Sequence, residues 1–222
     1  MVEKPGFFRL EKIMTDAPSN PYFAAVAEQW DEIRADYFTE HMRDAAIDKA
    51  HLPPNAIAAD VGTGTGFVAA GLVSRVDRVI GFDASPEMLA VARRNLARFD
   101  NVEFREAAGD RLPAASETFD GVFANMVLHH APDPLATIKE MARILKPNGV
   151  LCITDLDAHD HEWQREQMAD LWLGFERDDM RRWFAEAGLL DIDVDCAEGT
   201  CNACGPDGEV KPLSIFVAIG RK

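Results

Sequence analysis

From Tyr22 to about Ala50, apolar residues recur at spacings of three and four, and Phe23, Val26, Trp30 and Ile33 fall on one face of a predicted helix. The segment before it, 1–21, carries Pro5, Gly6, Pro18 and Pro21 with little periodicity and reads as a lead-in. His51-Leu-Pro-Pro-Asn then interrupts the chain. Beyond it the period changes. Short apolar runs at 56–61, 78–83, 102–106, 119–125 and 149–155 predict strands, and helical runs lie between them at about 66–75, 86–98 and 134–145. Ser85-Pro86-Glu87 and Asp133-Pro134 each supply a helix cap followed by a proline in the first turn. A polar loop is expected near 109–118, a further helix from about Glu162 to Ala187, and strands near 190–195 and 213–219. Gly205-Pro-Asp-Gly208 predicts a hairpin turn, which makes the last strand antiparallel.

Strands alternating with helices imply an α/β fold, doubly wound, with a seven-stranded, mostly parallel sheet, an antiparallel last strand and an N-terminal helical cap. The division expected is 1–50 for lead-in and cap and 51–222 for the main domain. In such a sheet, ligands sit at the carboxyl ends of the strands.

At the first of those ends the chain reads Ala58-Ala-Asp-Val-Gly-Thr-Gly-Thr-Gly66. Glycine lets a ligand approach the backbone because it has no Cβ. Gly62, Gly64 and Gly66 give G-x-G-x-G, whereas a dinucleotide pyrophosphate is met by G-x-G-x-x-G. Asp83, seventeen positions after Gly66, ends the next strand where such folds present an acid to ribose hydroxyls. The pair points to an adenosine-bearing cofactor without a pyrophosphate.

Composition narrows the partners. The 222 residues carry a net charge of −15, which argues against phosphate-backbone contacts with nucleic acid and against an anionic membrane surface. No apolar run reaches the roughly 18–20 residues of a membrane span. Met1-Val-Glu-Lys-Pro-Gly lacks the layout of a signal peptide, so a cytoplasmic setting with four reduced cysteines is expected.

Taken together, the motifs resemble those of the class I S-adenosylmethionine-dependent methyltransferases, from about Tyr22 to the end. Asp60-Val-Gly-Thr-Gly-Thr-Gly66 is similar to the family's first motif, and Asp83 to the acid that holds both ribose hydroxyls. Leu112-Pro113 with Phe119-Asp120-Gly-Val resembles the run from the adenine loop into the fourth strand. Leu145-Lys-Pro-Asn-Gly149 resembles the turn before the fifth, with Asn148 where glycine is usual; asparagine tolerates left-handed angles. The family's Gly-Asp before Leu-Pro is replaced by Ala107-Ala108, and Gly109-Asp110 follows two positions later. Either that loop is rearranged or Asp110 stands in for the acid. A narrower resemblance, over Asp155–Trp163 and Trp172-Leu-Gly-Phe175, is to methyltransferase domains found fused to or beside arsenic-type repressors.

The resemblance implies S-adenosyl-L-methionine as cofactor, held by Asp60, Gly62, Thr63, Gly64, Gly66, Asp83, Ala84, Met88, Ala108, Gly109, Asp110, Asn125 and Met126. Asp60 either fixes the loop or meets the cofactor's ammonium; Met88 covers the adenine or belongs to the core. His129 and His130 are read as general base, substrate contact or rim residues, with His130 the candidate for catalysis. Tyr37, His130, Asp155, His161 and Trp163 are the candidate acceptor contacts. Trp30, Tyr37 and Phe38 form either a lid or an ordinary packed helix face. The loop bearing Asp155, Asp157, His159, Asp160 and His161 is read as substrate-side or as a solvated loop rather than a metal site, and no metal is expected. Cys196, Cys201 and Cys204 lack the fourth ligand of structural zinc. The expected activity is methylation of a small molecule. The alternatives are thiol-assisted methylation of a metalloid such as arsenite and a cofactor-binding regulatory module without chemistry.

Overall fold

The computed structural model describes residues 21–35, 37–204 and 210–222, with 198–204, 210 and 211 described by their backbone alone. Strands β1 (Ile57–Val61), β2 (Arg78–Asp83), β3 (Val102–Glu106), β4 (Phe119–Asn125), β5 (Leu145–Leu156), β6 (Leu190–Cys204) and β7 (Val210–Arg221) form one sheet in the order β3-β2-β1-β4-β5-β7-β6. The pairs β1–β2, β1–β4, β2–β3 and β4–β5 are parallel, and β7 runs antiparallel to both β5 and β6. The helices are α1 (Pro21–Val26), α2 (Trp30–Arg34), α3 (Glu40–Lys49), α4 (Phe67–Leu72), α5 (Pro86–Asn95), α6 (Pro134–Ile144), α7 (Trp163–Gln167) and α8 (Arg177–Glu186). The hairpin turn expected at 205–208 lies outside the described residues, as does the lead-in before Pro21.

The central strands are buried on both faces, which explains their unbroken apolar runs. On one side Ala58, Val79, Phe123 and Val150 pack with Ile47, Phe67 and Leu72; on the other Ile80, Phe82, Val122 and Leu151 pack with Ile138, Met141 and Phe184. Burying a side chain of this size contributes about 1.5–3 kcal/mol. The caps act as the sequence implied. Ser85 Oγ accepts from Met88 N–H at 3.2 Å, and Asp133 Oδ1 accepts from Ala136 N–H at 3.0 Å. Asn148 adopts φ +66.

Three segments depart from the sequence reading. The helix expected over 22–50 is three helices: a 3₁₀ turn at Ala27–Gln29 separates the first two, and Thr39 caps α3 afresh through Met42 N–H. The helix expected from Glu162 to Ala187 is broken between α7 and α8. Its middle turns at Ala169 (φ +62) and Gly174 (φ +72) and folds back on β5, with Phe175 N–H donating to Leu156 O. A Cβ at Gly174 would stand 2.2 Å from Asp157 O, so only glycine allows that return. Finally, β5 starts at Leu145; the ladder shifts between Phe119 and Gly121, which absorbs Lys146–Gly149 into the strand.

Candidate functional site

A cavity of about 360 Å³ opens at the carboxyl ends of β1, β2 and β4. It lies at the lower end of the range for small-molecule sites, about 300–1,000 Å³. Its floor is the loop after β1. Gly62 N–H and Thr63 N–H both donate to Phe82 O, at 2.7 and 2.9 Å, and fold the loop over β2. Gly62, Gly64 and Gly66 all take positive φ, at +69, +54 and +91. They do different work. Gly62 and Gly64 line the cavity, and a Cβ on Gly64 would meet nothing nearer than Trp30 Nε1 at 3.7 Å, so that backbone is open to a ligand. Gly66 does not line it; it caps α4, and its missing Cβ leaves room for Leu96.

Asp60 lies beneath the loop and outside the cavity lining, 1% exposed. Its Oδ2 accepts from Thr63 Oγ1 at 2.6 Å and from Ala69 N–H at 3.0 Å, which ties loop to helix; Oδ1 has no partner. Burial, opposed by those two bonds and aided by the Asp83 charge, pushes its pKa up to about 7. Asp83 does line the cavity. Its Oδ2 accepts from Gly64 N–H at 2.8 Å and its Oδ1 from Ser85 N–H at 2.9 Å; burial still leaves its pKa raised.

Ala84, Ser85 and Met88 continue the wall from Asp83, and Met88 also packs with Ala27 and Val91 of a small core. Ala107, Ala108, Gly109 and Asp110 form the opposite lip. That lip is anchored from α6, where Glu140 Oε1 accepts from Leu112 N–H at 2.7 Å and Arg143 donates to Leu112 O and Ala114 O. Asn125, Met126 and Val127 supply the far side. Thr154 Oγ1 donates to Asn125 Oδ1 at 2.7 Å, and Met126 takes φ +55.

Helices α1 and α2 roof the cavity with Phe23 and Trp30, and Phe38 joins them. Asp31 pins this roof to the glycine loop by accepting from Thr65 Oγ1 at 2.7 Å and Asn95 Nδ2 at 3.0 Å. Tyr37 is not part of the lining; its hydroxyl meets Met168 Sδ.

Of the residues expected on the acceptor side, His130 alone lines the cavity, with Phe23 edge-on to its ring at 4.9 Å. Asp155 turns inward, fully buried, to His129 Nδ1 at 2.6 Å and Leu128 N–H at 2.9 Å. Asp157 pairs with Arg177 through two bonds of 2.7 Å. His161 stacks on Trp163, and neither lines the cavity. Strand alternation thus aims Asp155 and Asp157 at separate partners, whereas His159, Asp160 and His161 stay together outside the cavity, with the two rings 5.3 Å apart and His161 Nδ1 3.4 Å from Asp160 Oδ1.

Burial pulls the His129 pKa down, but the charge and hydrogen bond of Asp155, with Asp170 farther off, outweigh it and leave the pKa raised. For His130, burial and the adjoining His129 charge push the pKa well below the usual value, against a weak contact with Ala169 O. His130 is thus a neutral imidazole near pH 7.

Asp170, which carried no sequence signal beyond being an acid near Trp172, sits against both rings. Its segment is held by Leu171 and Trp172 N–H, each donating to His129 O at 3.0 Å, and by Trp172 Nε1 on Ala131 O at 2.9 Å. Cys196 is exposed and its thiol faces Ala197 O; Cys152 is buried in the core. The side chains of Cys201 and Cys204 lie outside the described residues.

With this geometry in place, residues 59–153 match the family described as "Methyltransferase domain". Over that stretch the chain is similar to methyltransferase domains. It is 34% identical over 166 residues to 2-methyl-6-phytyl-1,4-hydroquinone methyltransferase 1, chloroplastic, of Oryza sativa subsp. japonica, covering 73% of this chain and 50% of that protein. It is 38% identical over 156 residues to the arsenite methyltransferase of Halobacterium salinarum, covering 65% and 40%. A SAM-dependent methyltransferase from Aquifex aeolicus has the same fold, with a TM-score of 0.66 at 20% identity over 89% of this chain and 97% of that one. The chain spans about half the length of the curated relatives it matches.

The lining fits S-adenosylmethionine, the cofactor that the motif resemblance implies. Gly62 and Gly64 give backbone without Cβ, Asp83 gives a half-buried carboxylate, and Met88 gives an apolar wall. Those residues, with Ala84, Asp110, Asn125 and Met126, would hold it.

Proposed function

We propose that the protein transfers a methyl group from S-adenosylmethionine to a compact small-molecule acceptor with an apolar or aromatic face. The observation that carries this reading is that one cavity joins Gly64 and Asp83 at one end to His130 at the other, under a roof of Phe23, Trp30 and Phe38. When bound, the cofactor supplies an electrophilic methyl on its sulfonium. The protein's part is then positioning and exclusion of water. The glycine loop and Asp83 fix the donor, and the aromatic roof keeps solvent out and stacks on a flat acceptor. His130, neutral and in the wall, takes the proton when the acceptor presents a hydroxyl or thiol.

The division into a cap, 1–50, and a methyltransferase domain, 51–222, belongs to this reading. So does a cytoplasmic setting without nucleic-acid or membrane partners; the plant relatives are named chloroplastic, and no helix among the described residues is long and apolar enough to cross a membrane.

Calorimetric titration with S-adenosylhomocysteine tests the donor half; a folded protein with no binding overturns it. The acceptor half is read by S-adenosylhomocysteine formation across a panel of hydroquinones, phenols, thiols and arsenite. Turnover on a compact phenol or hydroquinone supports the proposal, and turnover confined to large or charged acceptors rejects it. The similarity to an arsenite methyltransferase favours metalloid methylation as a second reading. For that reading, arsenite-dependent turnover must disappear when Cys196, Cys201 and Cys204 are replaced by serine.

A further inference from the structure

We propose that His129, His130 and Asp170 form a binding site for a divalent cation of the zinc class in the wall of the acceptor cavity. One donor atom from each side chain lies within 4.8 Å of the others. Asp170 Oδ1 is 3.7 Å from His129 Nε2 and 3.9 Å from His130 Nδ1. Two ligands each about 2.0–2.1 Å from a tetrahedral zinc stand roughly 3.4 Å apart, so small side-chain shifts would close the set.

Three further features point to a cation. First, the Asp170 side chain is only 1% exposed, and neither carboxylate oxygen has a hydrogen-bond partner. A buried carboxylate without donors is costly unless a positive charge meets it. Second, Asp155 holds His129 Nδ1 at 2.6 Å, and this leaves Nε2 facing Asp170. A carboxylate behind a ligating imidazole is the usual outer partner of a metal-bound histidine: it fixes tautomer and ring orientation. Third, the segment carrying Asp170 is clamped to the turn carrying the histidines by the bonds from Leu171, Trp172 and the Trp172 indole, and it turns there at Ala169 with φ +62. Two imidazoles and one carboxylate, with a further coordination position, suit zinc and its borderline neighbours over magnesium or calcium. His130 belongs to both the trio and the cavity lining, so a cation on its Nδ1 leaves Nε2 protonated and the imidazole takes an acceptor proton only when the cation is absent; that consequence rests on the function proposed above.

The test uses the full chain, stripped with a chelator and titrated with Co²⁺ or Zn²⁺. One equivalent should bind, and Co²⁺ should show the visible bands of a four- or five-coordinate site without thiolate charge transfer. Asp170→Asn and His130→Gln should each weaken Co²⁺ binding at least tenfold, and Asp155→Asn about 10–100-fold as an outer partner. The triple variant Cys196→Ser, Cys201→Ser, Cys204→Ser should bind Co²⁺ as the parent does. No uptake at micromolar metal overturns the site, as does uptake that survives both Asp170→Asn and His130→Gln or is lost in the cysteine variant. Circular dichroism in chelator checks that each variant is folded; if Asp170→Asn is not, His129→Gln and His130→Gln carry the decision. S-adenosylhomocysteine affinity on the same samples separates failure of the donor site from failure of the cation site.

Discussion

Gly62 lies so close to Val127 that a Cβ on the glycine would stand 2.2 Å from Val127 Cγ2. The donor loop after β1 and the turn after β4 are thereby interlocked at one point, with φ +69 at Gly62 adding a conformation that side chains resist. Gly62→Ala should lower stability by about 1–3 kcal/mol and weaken S-adenosylhomocysteine binding at least tenfold. Adding Val127→Ala should return part of the stability but not the affinity, as denaturant melts and calorimetry would show. Parent-like affinity in the single variant would mean that the loop does not carry the donor.

Asp83 acts through acceptance alone, since both of its oxygens take backbone N–H groups at the loop and at the head of α5. Asp83→Asn keeps the volume but loses one acceptor and the charge. Binding of S-adenosylhomocysteine should weaken at least tenfold, about 1.4 kcal/mol, with the fold retained.

Glu140 touches no part of the cavity, yet it holds the lip at Leu112 N–H and orients Arg143. Glu140→Ala should weaken donor binding severalfold through a faster off-rate while leaving turnover at saturating donor little changed. Stopped-flow displacement distinguishes this from general unfolding, which would reduce both.

The Asp60 contribution to stability should fall as the pH rises between about 4 and 7. In the unfolded chain Asp60 loses its proton near 3.8, whereas in the folded protein burial holds it to about 7. The folded state therefore binds more protons across that window, and the contribution is full below about pH 4 and lost as the pH passes 7. Urea midpoints across this range should therefore fall more, or rise less, in the parent than in a variant without the Asp60 carboxyl. In Asp60→Asn, which keeps an acceptor for Thr63, that component should be absent.

The strands at β2, β3 and β4 were legible to the residue: buried apolar positions dominate β2 and β4, and apolar Val102 and Phe104 alternate with polar Glu103 and Arg105 in the half-buried β3. So were the starts of α5 and α6, where a capping side chain and a proline mark a local event. The glycine-loop side of the cavity was legible in large part because it is made by consecutive residues at strand ends, although Asp60 and Gly66 lie outside its lining. The acceptor half was not. Whether Asp155 faces solvent or His129 depends on the side of the sheet it occupies, and nothing in the sequence around Asp170 links it to residues forty positions earlier. The break between α7 and α8 was hidden too, since Ala169 takes its left-handed angle from tertiary contacts and not from its own preference.

The donor loop springs from β1 and the acceptor-side turn from β4, and these strands are neighbours paired from Ala58↔Gly121 to Val61↔Ala124. Their separation is fixed by a ladder of backbone hydrogen bonds, at about 4.8 Å from strand to strand. The line along which donor and acceptor meet is thus written in the backbone, where side-chain substitution leaves no mark. What the acceptor touches belongs to the roof and to the segment around Asp170, which can drift without disturbing that line. A chain built this way can change its acceptor over evolutionary time and keep its chemistry.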